Sequence, residues 1–200
     1  MKISKNFTSN DYLDLKLNIN EEKGWDKAIL ILKDRIESRF FEPIDLLIKF
    51  EENNKPKDNY FGFTILAISC LLIETIQGFK EGIYNHKNES EQLIKKFCSE
   101  LGLNNEEQDL FYKKIRCGIL HKGEVEGVLI YSHKNNEEII TTYSKDETVL
   151  ERNILYMEIK KNFYKYLSKI KDNENLKNNY IKVMDGICNK VKINTKLKLG

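Results

Sequence analysis

The sequence has few of the residues that interrupt a helix. Two prolines and ten glycines occur among 200 residues, so few positions force the backbone out of a helical conformation. Leu, Lys and Glu favour helices, whereas the abundant Ile, Asn and Tyr are only moderately unfavourable in them. The chain is 40% apolar, with ten Phe and ten Tyr, which is enough for a substantial core. We therefore expect an all-α fold that forms a single domain over residues 1–200.

Long apolar runs and closely paired cysteines are also missing. The amino terminus lacks the apolar stretch of a secretory signal, and the longest apolar window, residues 60–73, has about 14 residues, against the roughly 20 that cross a bilayer. The four cysteines are Cys70, Cys98, Cys117 and Cys188. They show no CxxC spacing, which favours reduced thiols. These features predict a cytoplasmic protein with no membrane partner.

Several enzyme classes lack their usual sequence motifs. GxxxxGK, GxGxxG, HExxH and GxSxG are all absent, so nothing indicates phosphate-loop hydrolysis of nucleotides, dinucleotide redox chemistry, zincin proteolysis or serine hydrolysis. No cofactor is predicted. The chain has four arginines against 29 lysines, and one of the four, Arg116, lies five residues before one of the three histidines, His121.

Hydrophobic periodicity predicts helices along most of the chain. Residues 25–50 have apolar residues at helical spacing with Pro43 among them, which indicates one long kinked helix or two short ones. The polar residues 52–59 that follow are typical of a loop. The predicted divisions are residues 1–59 (amino-terminal helices and a linker), 60–170 (the core of the domain) and 171–200 (a basic carboxyl-terminal helix and tail).

The predicted core contains a buried helix and two helices with clear ends. Residues 60–84 are apolar on nearly all sides as far as Glu74 and predict a central helix. NESEQLIKKFCSELG predicts an amphipathic helix that ends at Gly102. NNEEQDLFYKKIRCGILHKG predicts a helix that begins with Asn and acidic residues and ends at Gly123. Further helices are predicted over residues 147–170 and 180–191.

Two β-branched and aromatic runs interrupt these helices. VEGVLIYS and EEIITTYS are separated by HKNNE, a pattern that is typical of a hairpin. We expect a small β-hairpin insertion near residues 125–144 within a helical bundle.

Charge is distributed unevenly along the chain. Residues 160–200 contain eleven lysines and three acidic residues, a net charge of +8, so the first 159 residues carry −6. A basic segment can neutralise nucleic-acid phosphates and gain affinity from counterion release. The alternative is a helix face that is simply solvated.

Arg116 and His121 have the side chains that metal-free RNA cleavage requires. RNA supplies its own nucleophile, the 2′-hydroxyl, so the enzyme needs a group that moves a proton near neutral pH, as an imidazole does. It also needs a cation for the phosphate, and a guanidinium donates two parallel hydrogen bonds where an ammonium cannot. The alternatives are a surface ion pair for Arg116 and a cation near a helix carboxyl end for His121. Arg152 has no such neighbour in the sequence.

Four further residues are candidates for roles beside this pair. Glu74, the first charge after the buried run, is a candidate for orienting the pair or an ordinary exposed residue. Tyr112 could stack on a base or belong to the core. Cys117 and His121, at i and i+4, could bind zinc or act as nucleophile and base, or Cys117 could simply be packed. No two further metal ligands lie nearby, so no metal site is predicted. Lys122 is a candidate substrate contact.

The spacing of the pair complicates a joint role. Five residues at about 100° each place Arg116 and His121 about 140° apart around an ideal helix, so the two would not share a cleft unaided. Loosening of the helix at Gly118 would bring them together, and so would a second subunit whose own helix faces this one. The sequence therefore predicts either a local distortion or a homodimer.

The pattern resembles the HEPN superfamily, whose ribonuclease members carry an R-x4-6-H motif. RCGILH follows a long apolar helix, and the stretches LAISCLLIETIQGFKEG and FYKKIRCGILHKGE are similar to uncharacterised bacterial members; the resemblance covers roughly residues 60–170. Many members have a polar residue where this chain has Cys117. Members modified by a partner nucleotidyltransferase carry Tyr where this chain has Gly123, which argues against that regulation.

The resemblance implies a HEPN-like helical bundle and a metal-independent endoribonuclease that leaves a 2′,3′-cyclic phosphate, with Arg116 and His121 as the catalytic residues. It implies a homodimer that acts on RNA in stress, toxin–antitoxin or phage-defence systems, with an antitoxin or regulatory protein as a further partner. The alternative is a catalytically inactive helical module that binds RNA, a nucleotide or a partner protein. A third interpretation is a purely structural interaction domain.

Overall fold

The computed structural model describes residues 1–54, 61–132, 138–144 and 147–197, with side chains as far as Asn189. The helices in these ranges are α1 (Ser9–Leu13), α2 (Trp25–Ile36), α3 (Glu42–Asn54), α4 (Gly62–Glu81), α5 (Ser90–Glu100), α6 (Asn105–Leu110), α7 (Cys117–Lys122), α8 (Arg152–Ile170) and α9 (Glu174–Leu197). Two π-helical segments, Glu37–Phe41 and Phe111–Arg116, join α2 to α3 and α6 to α7. The strands are β1 (Val128–Tyr131), β2 (Ile140–Ser144) and β3 (Glu147–Glu151). The described chain is therefore mainly helical, as expected, with a small sheet.

A continuous helix runs from Trp25 to Asn54, and its turns widen over the π-helical segment. The amide of Glu42 donates to the carbonyl of Glu37, five residues back. Pro43 follows at once; it has no N–H, and its ring would crowd the carbonyl four residues earlier in a regular helix. The wider turn accommodates the ring. Of the two predicted alternatives, one long kinked helix or two short ones, the structure has one long helix with a widened turn.

The loop predicted over residues 52–59 begins too early. Residues 52–54 belong to α3, where the side-chain amide of Asn54 donates to the carbonyl of Phe50 at 2.8 Å. Polar residues are tolerated in an exposed last turn, so polarity alone misplaced this boundary. The rest of that prediction, and the HKNNE turn, lie outside the described residues.

Helix α4 lies at the centre of the fold, as predicted. Twelve of its 20 residues are buried, and it packs against α5, α8 and α9. By length and composition alone α4 could cross a membrane, with a mean hydropathy of 1.6 in its most apolar window. However, 67% of that window is buried within the fold, and the core helix of a soluble protein meets the same criteria, so this is weak evidence for a span.

The sheet differs from the predicted hairpin. The two runs expected to pair, β1 and β2, instead flank β3, with β1 parallel to it and β2 antiparallel. Residues 147–151, predicted as the start of a helix, form β3, which is buried from Thr148 to Glu151. A strand buried on both faces has a continuous apolar run rather than an alternating one, and periodicity does not distinguish it from a buried helix.

The helices at the two ends of the chain also differ from the predictions. Helix α9 covers 24 residues rather than residues 180–191, and the phenol of its buried Tyr180 donates to the carbonyl of Ala28 in α2 at 2.7 Å. Helix α1 was not predicted. It begins with a capping box, in which Thr8 and Asp11 each accept a hydrogen bond from the other's backbone amide.

One buried cluster joins all parts of the described chain. Ile3 and Trp25, Ile73 of α4, Phe163 of α8 and Tyr180 of α9 all belong to it. The three predicted divisions of the sequence thus contribute to the same core.

A buried ion pair links α3 to α8. Arg152 is 2% exposed and donates through Nη1 to Oε1 of Glu51 at 3.2 Å and through Nη2 to Oε2. Oε1 of Glu51 also accepts from the amide of Phe61 at 3.1 Å. Arg152, which has no neighbouring histidine in the sequence, therefore has a structural role in this buried pair. Its partner lies 101 residues earlier, where no local spacing reveals it.

Glu51→Gln is expected to lower the free energy of unfolding by about 3–5 kcal/mol, because it leaves the charge of Arg152 buried without a counter-charge. Gln keeps an acceptor for the Phe61 amide, so the loss reports the charge. The matched control is Glu42→Gln, whose partner Lys5 is exposed and whose expected cost is below about 1 kcal/mol. Urea unfolding measures both, and equal costs would contradict the buried pair.

Candidate active site

A single helix with a well-defined start and end carries the Arg116 and His121 pair. At its start, Asn104 accepts hydrogen bonds from the amides of Glu106 and Glu107, and the Glu107 carboxylate accepts from the Asn104 amide. At its end, Gly123 adopts a left-handed φ of 70° and its amide donates to the carbonyl of Gly118. Both predicted ends are confirmed.

The helix is widened over the segment that ends at Arg116. Phe111–Arg116 is π-helical, and the amide of Cys117 donates to the carbonyl of Tyr112, five residues back. Phe111 and Ile115 are fully buried, which anchors this segment in the core. Such widened turns are frequent at functional sites.

Arg116 contacts both Glu74 and His121 within one chain. Its Nε donates to Oε1 of Glu74 at 2.6 Å, and its Nη1 lies 3.2 Å from Nε2 of His121. A guanidinium can only donate, so in this contact Nε2 of His121 accepts and its ring is neutral, with the hydrogen on Nδ1. The phosphate-binding cation and the proton acceptor of the predicted chemistry are thus in direct contact.

This contact contradicts the expectation that Arg116 and His121 could come together only through a helix distortion or a second subunit. Cys117–Lys122 is a regular α-helix, so Gly118 is not a point of loosening, and no second subunit is needed. Angles around a helix describe where side chains leave the backbone, whereas the long arginine side chain reaches across the intervening turn. Gly118 has another role: a Cβ there would lie 2.5 Å from the carbonyl oxygen of Glu124.

Glu74 is the buried anchor of the site. Its side chain is 8% exposed and that of Arg116 13%, so the alternative of an ordinary exposed residue is wrong. Burial would lower the pKa of Arg116, but the hydrogen bond and charge of Glu74 outweigh it and hold that pKa above its usual value. The guanidinium is therefore charged and fixed in orientation, as predicted for a residue that orients Arg116.

The other candidate residues differ in how closely they approach Arg116: Tyr112 and Cys117 lie beside it, and Lys122 pairs elsewhere. The ring of Tyr112 is 5.9 Å from the guanidinium carbon of Arg116 and packs partly against the core. Burial raises the pKa of the Tyr112 phenol, and its hydrogen bond with Cys117 acts in the same direction. Sγ of Cys117 lies 4.0 Å from Nη1 of Arg116. Lys122 is exposed, and its ammonium pairs with Glu126 at 3.9 Å.

The alternatives that involve Cys117 gain no support from these contacts. The described residues contain no group of three or more His, Cys, Asp or Glu side chains placed to hold a metal ion. Within the same ranges, no hydrogen bond joins Cys117 to His121, as a nucleophile and its base would require.

A second histidine, His86, was missed by sequence reasoning. Its Nδ1 lies 3.9 Å from Oε2 of Glu74, and its Nε2 lies 3.1 Å from the carbonyl of Ile83. The carbonyl can only accept, so Nε2 carries a hydrogen there. The sequence contains one signal for this approach, Gly78, because a Cβ at that position would collide with the imidazole of His86.

Comparisons of the chain with models of protein families, with curated proteins and with solved structures find no match. The functional assignment of this site therefore rests on its residues and their geometry.

Proposed function

We propose that this protein is a metal-independent endoribonuclease in which Arg116 binds the scissile phosphate and His121 accepts the proton of the 2′-hydroxyl. The observation that carries the proposal is the 3.2 Å contact between Nη1 of Arg116 and Nε2 of His121. A group that holds a phosphate oxygen and a group that takes a proton from the adjacent ribose must lie this close together.

Glu74 leaves the outer end of the Arg116 guanidinium, Nη1 and Nη2, available to a phosphate. It occupies Nε, and Nη2 of Arg116 donates to no other side chain or carbonyl among the described residues. The Nη1 and Nη2 hydrogens can therefore form a fork with two oxygens of a phosphate. A guanidinium held in place before the reaction stabilises the developing negative charge without reorganising.

The resting contact also indicates an order of events. A phosphate oxygen that takes over the hydrogen bond from Nη1 of Arg116 releases Nε2 of His121. The 2′-oxygen then bonds to phosphorus while its proton passes to Nε2. The bond from phosphorus to the 5′-oxygen breaks, and this oxygen takes a proton from water. The imidazolium of His121 then gives its proton to the hydroxide that remains. The products are a 2′,3′-cyclic phosphate and a 5′-hydroxyl, and no metal takes part.

The wider proposal follows the resemblance to HEPN ribonucleases. It comprises a HEPN-type domain, a homodimer, action in the cytoplasm, and a place in stress response, toxin–antitoxin or phage defence with a regulatory partner. The homodimer is no longer needed to complete the pair, because Arg116 and His121 meet in one chain.

The direct test is cleavage of total RNA by the pure protein in the presence of a chelator. Wild-type protein is expected to yield fragments that end in a 2′,3′-cyclic phosphate. His121→Ala is expected to lower the rate about 10²–10⁴-fold, the usual range for a general base, and to keep the melting temperature within a few degrees because the side chain is exposed. Cleavage at the wild-type rate by His121→Ala would contradict the mechanism. RNA binding by wild type without cleavage would instead favour the inactive module.

Arg116→Lys is expected to lose on the order of 100-fold in cleavage although the charge is kept, because the ammonium lacks the guanidinium's planar fork. The matched control is Arg39→Lys, a substitution of the same type at a side chain that donates to the carbonyl of Ile3. Single-turnover rates measure the effect. An unimpaired Arg116→Lys variant would show that charge alone is required.

Mixing Arg116→Ala with His121→Ala chains is expected to restore no activity. Because each chain holds its own pair, every site in a mixed dimer lacks one member. The control mixes wild type with the double variant, which should retain activity in proportion to the wild-type chains, and a tag confirms subunit exchange. Recovery towards half of the wild-type rate would show that the pair acts across two subunits.

A further inference from the structure

A cavity of about 430 Å³ lies where the carboxyl-terminal ends of α4 and α5 meet α8 and α9. Lys80 of α4, Glu100 of α5, and Lys165, Tyr166 and Lys169 of α8 belong to its lining. None of the residues of the candidate active site lines it, so it is a separate feature of the fold.

The cavity contains positive charge that no carboxylate neutralises. Lys165 and Lys169 lie one helical turn apart on α8, both are exposed at the cavity, and neither has an acidic partner among the described residues. Glu81 in the wall, by contrast, already pairs with Lys96 at 2.7 Å. The two free ammonium groups are therefore available to an anion.

Lys80 places a third ammonium close to these two. Its side chain is 12% exposed and donates to the carboxylate of Glu100 and to Oδ1 of Asn162 at 2.6 Å. Burial lowers the pKa of Lys80, the charge of Lys169 acts in the same direction, and Glu100 opposes both. Lys80 and Lys169 line the same cavity, so a bound anion would relieve the repulsion between their charges.

We propose that this cavity binds the phosphate group of a small organic phosphate of nucleotide size, with Lys165 and Lys169 as donors. The oxygens of a phosphomonoester match two ammonium groups. The volume lies in the range of small-molecule sites and exceeds what a bare phosphate ion requires. Glu100 can accept from hydroxyl or amino groups on the rest of the ligand. The site does not depend on the proposed nuclease activity.

The first test titrates the full chain with adenosine 5′-monophosphate, inorganic phosphate and adenosine, followed by calorimetry and by NMR of labelled protein. The monophosphate and phosphate are expected to bind, and adenosine is expected to bind at least about tenfold more weakly than the monophosphate, because it lacks the charged acceptor. Equal affinity for adenosine and its monophosphate, or no binding of either phosphate compound, would overturn the proposal.

Two sets of variants then locate the site. Lys165→Gln with Lys169→Gln is expected to weaken binding of the monophosphate on the order of tenfold or more. Lys161→Gln with Lys182→Gln removes the same charge from α8 and α9 away from the cavity and should leave binding unchanged. Equal losses in the two double variants would show general attraction only and overturn the proposal.

An RNA backbone carries the same phosphate chemistry, so one arm uses an uncleavable 2′-O-methyl oligonucleotide. Competition by the monophosphate, with binding of the monophosphate on its own, supports the small ligand. Binding of the oligonucleotide that depends on Lys165 and Lys169, without binding of the monophosphate, would overturn the small-ligand proposal and assign these lysines to RNA.

Discussion

A carboxylate in the most buried helix of the fold needs a counter-charge, and this need organises the candidate site. Glu74 lies on α4 among apolar residues, where an unpaired charge would be strongly destabilising. Arg116 supplies the counter-charge from the helix that contains α6 and α7, and His86 approaches the second carboxylate oxygen from the segment after α4. The interaction that makes the buried charge tolerable also fixes the guanidinium beside His121.

The backbone of the α6 to α7 helix supports this arrangement. Phe111 and Ile115, both within the π-helical segment, are buried in the core and hold its wider turns there. One extra residue in a turn rotates the following helix faces by about 100° relative to a regular helix. Periodicity read across the whole stretch therefore misjudges which side chains before and after the segment share a face. Arg116 and His121 meet for another reason, because the long arginine side chain reaches across the regular turn between them.

Features with local causes could be predicted from the sequence, and features with distant causes could not. The ends at Gly102 and Gly123 and the buried α4 follow from glycine conformation and continuous apolarity, which act within a few residues. The strand β3 depends on partners to either side, and its apolar run fits a helix equally well. The partners of Arg152 and Glu74 lie 101 and 42 residues away, beyond any spacing rule.

The contacts of the four arginines show which roles a guanidinium has in this lysine-rich chain. Arg35 and Arg39 both donate to the carbonyl of Ile3, and burial, with the charge of Arg39, lowers the pKa of Arg35 to about 10. Arg152 forms a buried pair. Each of these has partners that are backbone or carboxylate, as structural arginines do. Arg116 alone of the four also contacts a side chain able to exchange a proton near neutral pH, and that side chain is exposed. A fixed, half-buried cation beside an accessible imidazole is an arrangement that stability alone does not require, and it distinguishes Arg116 from the other three arginines.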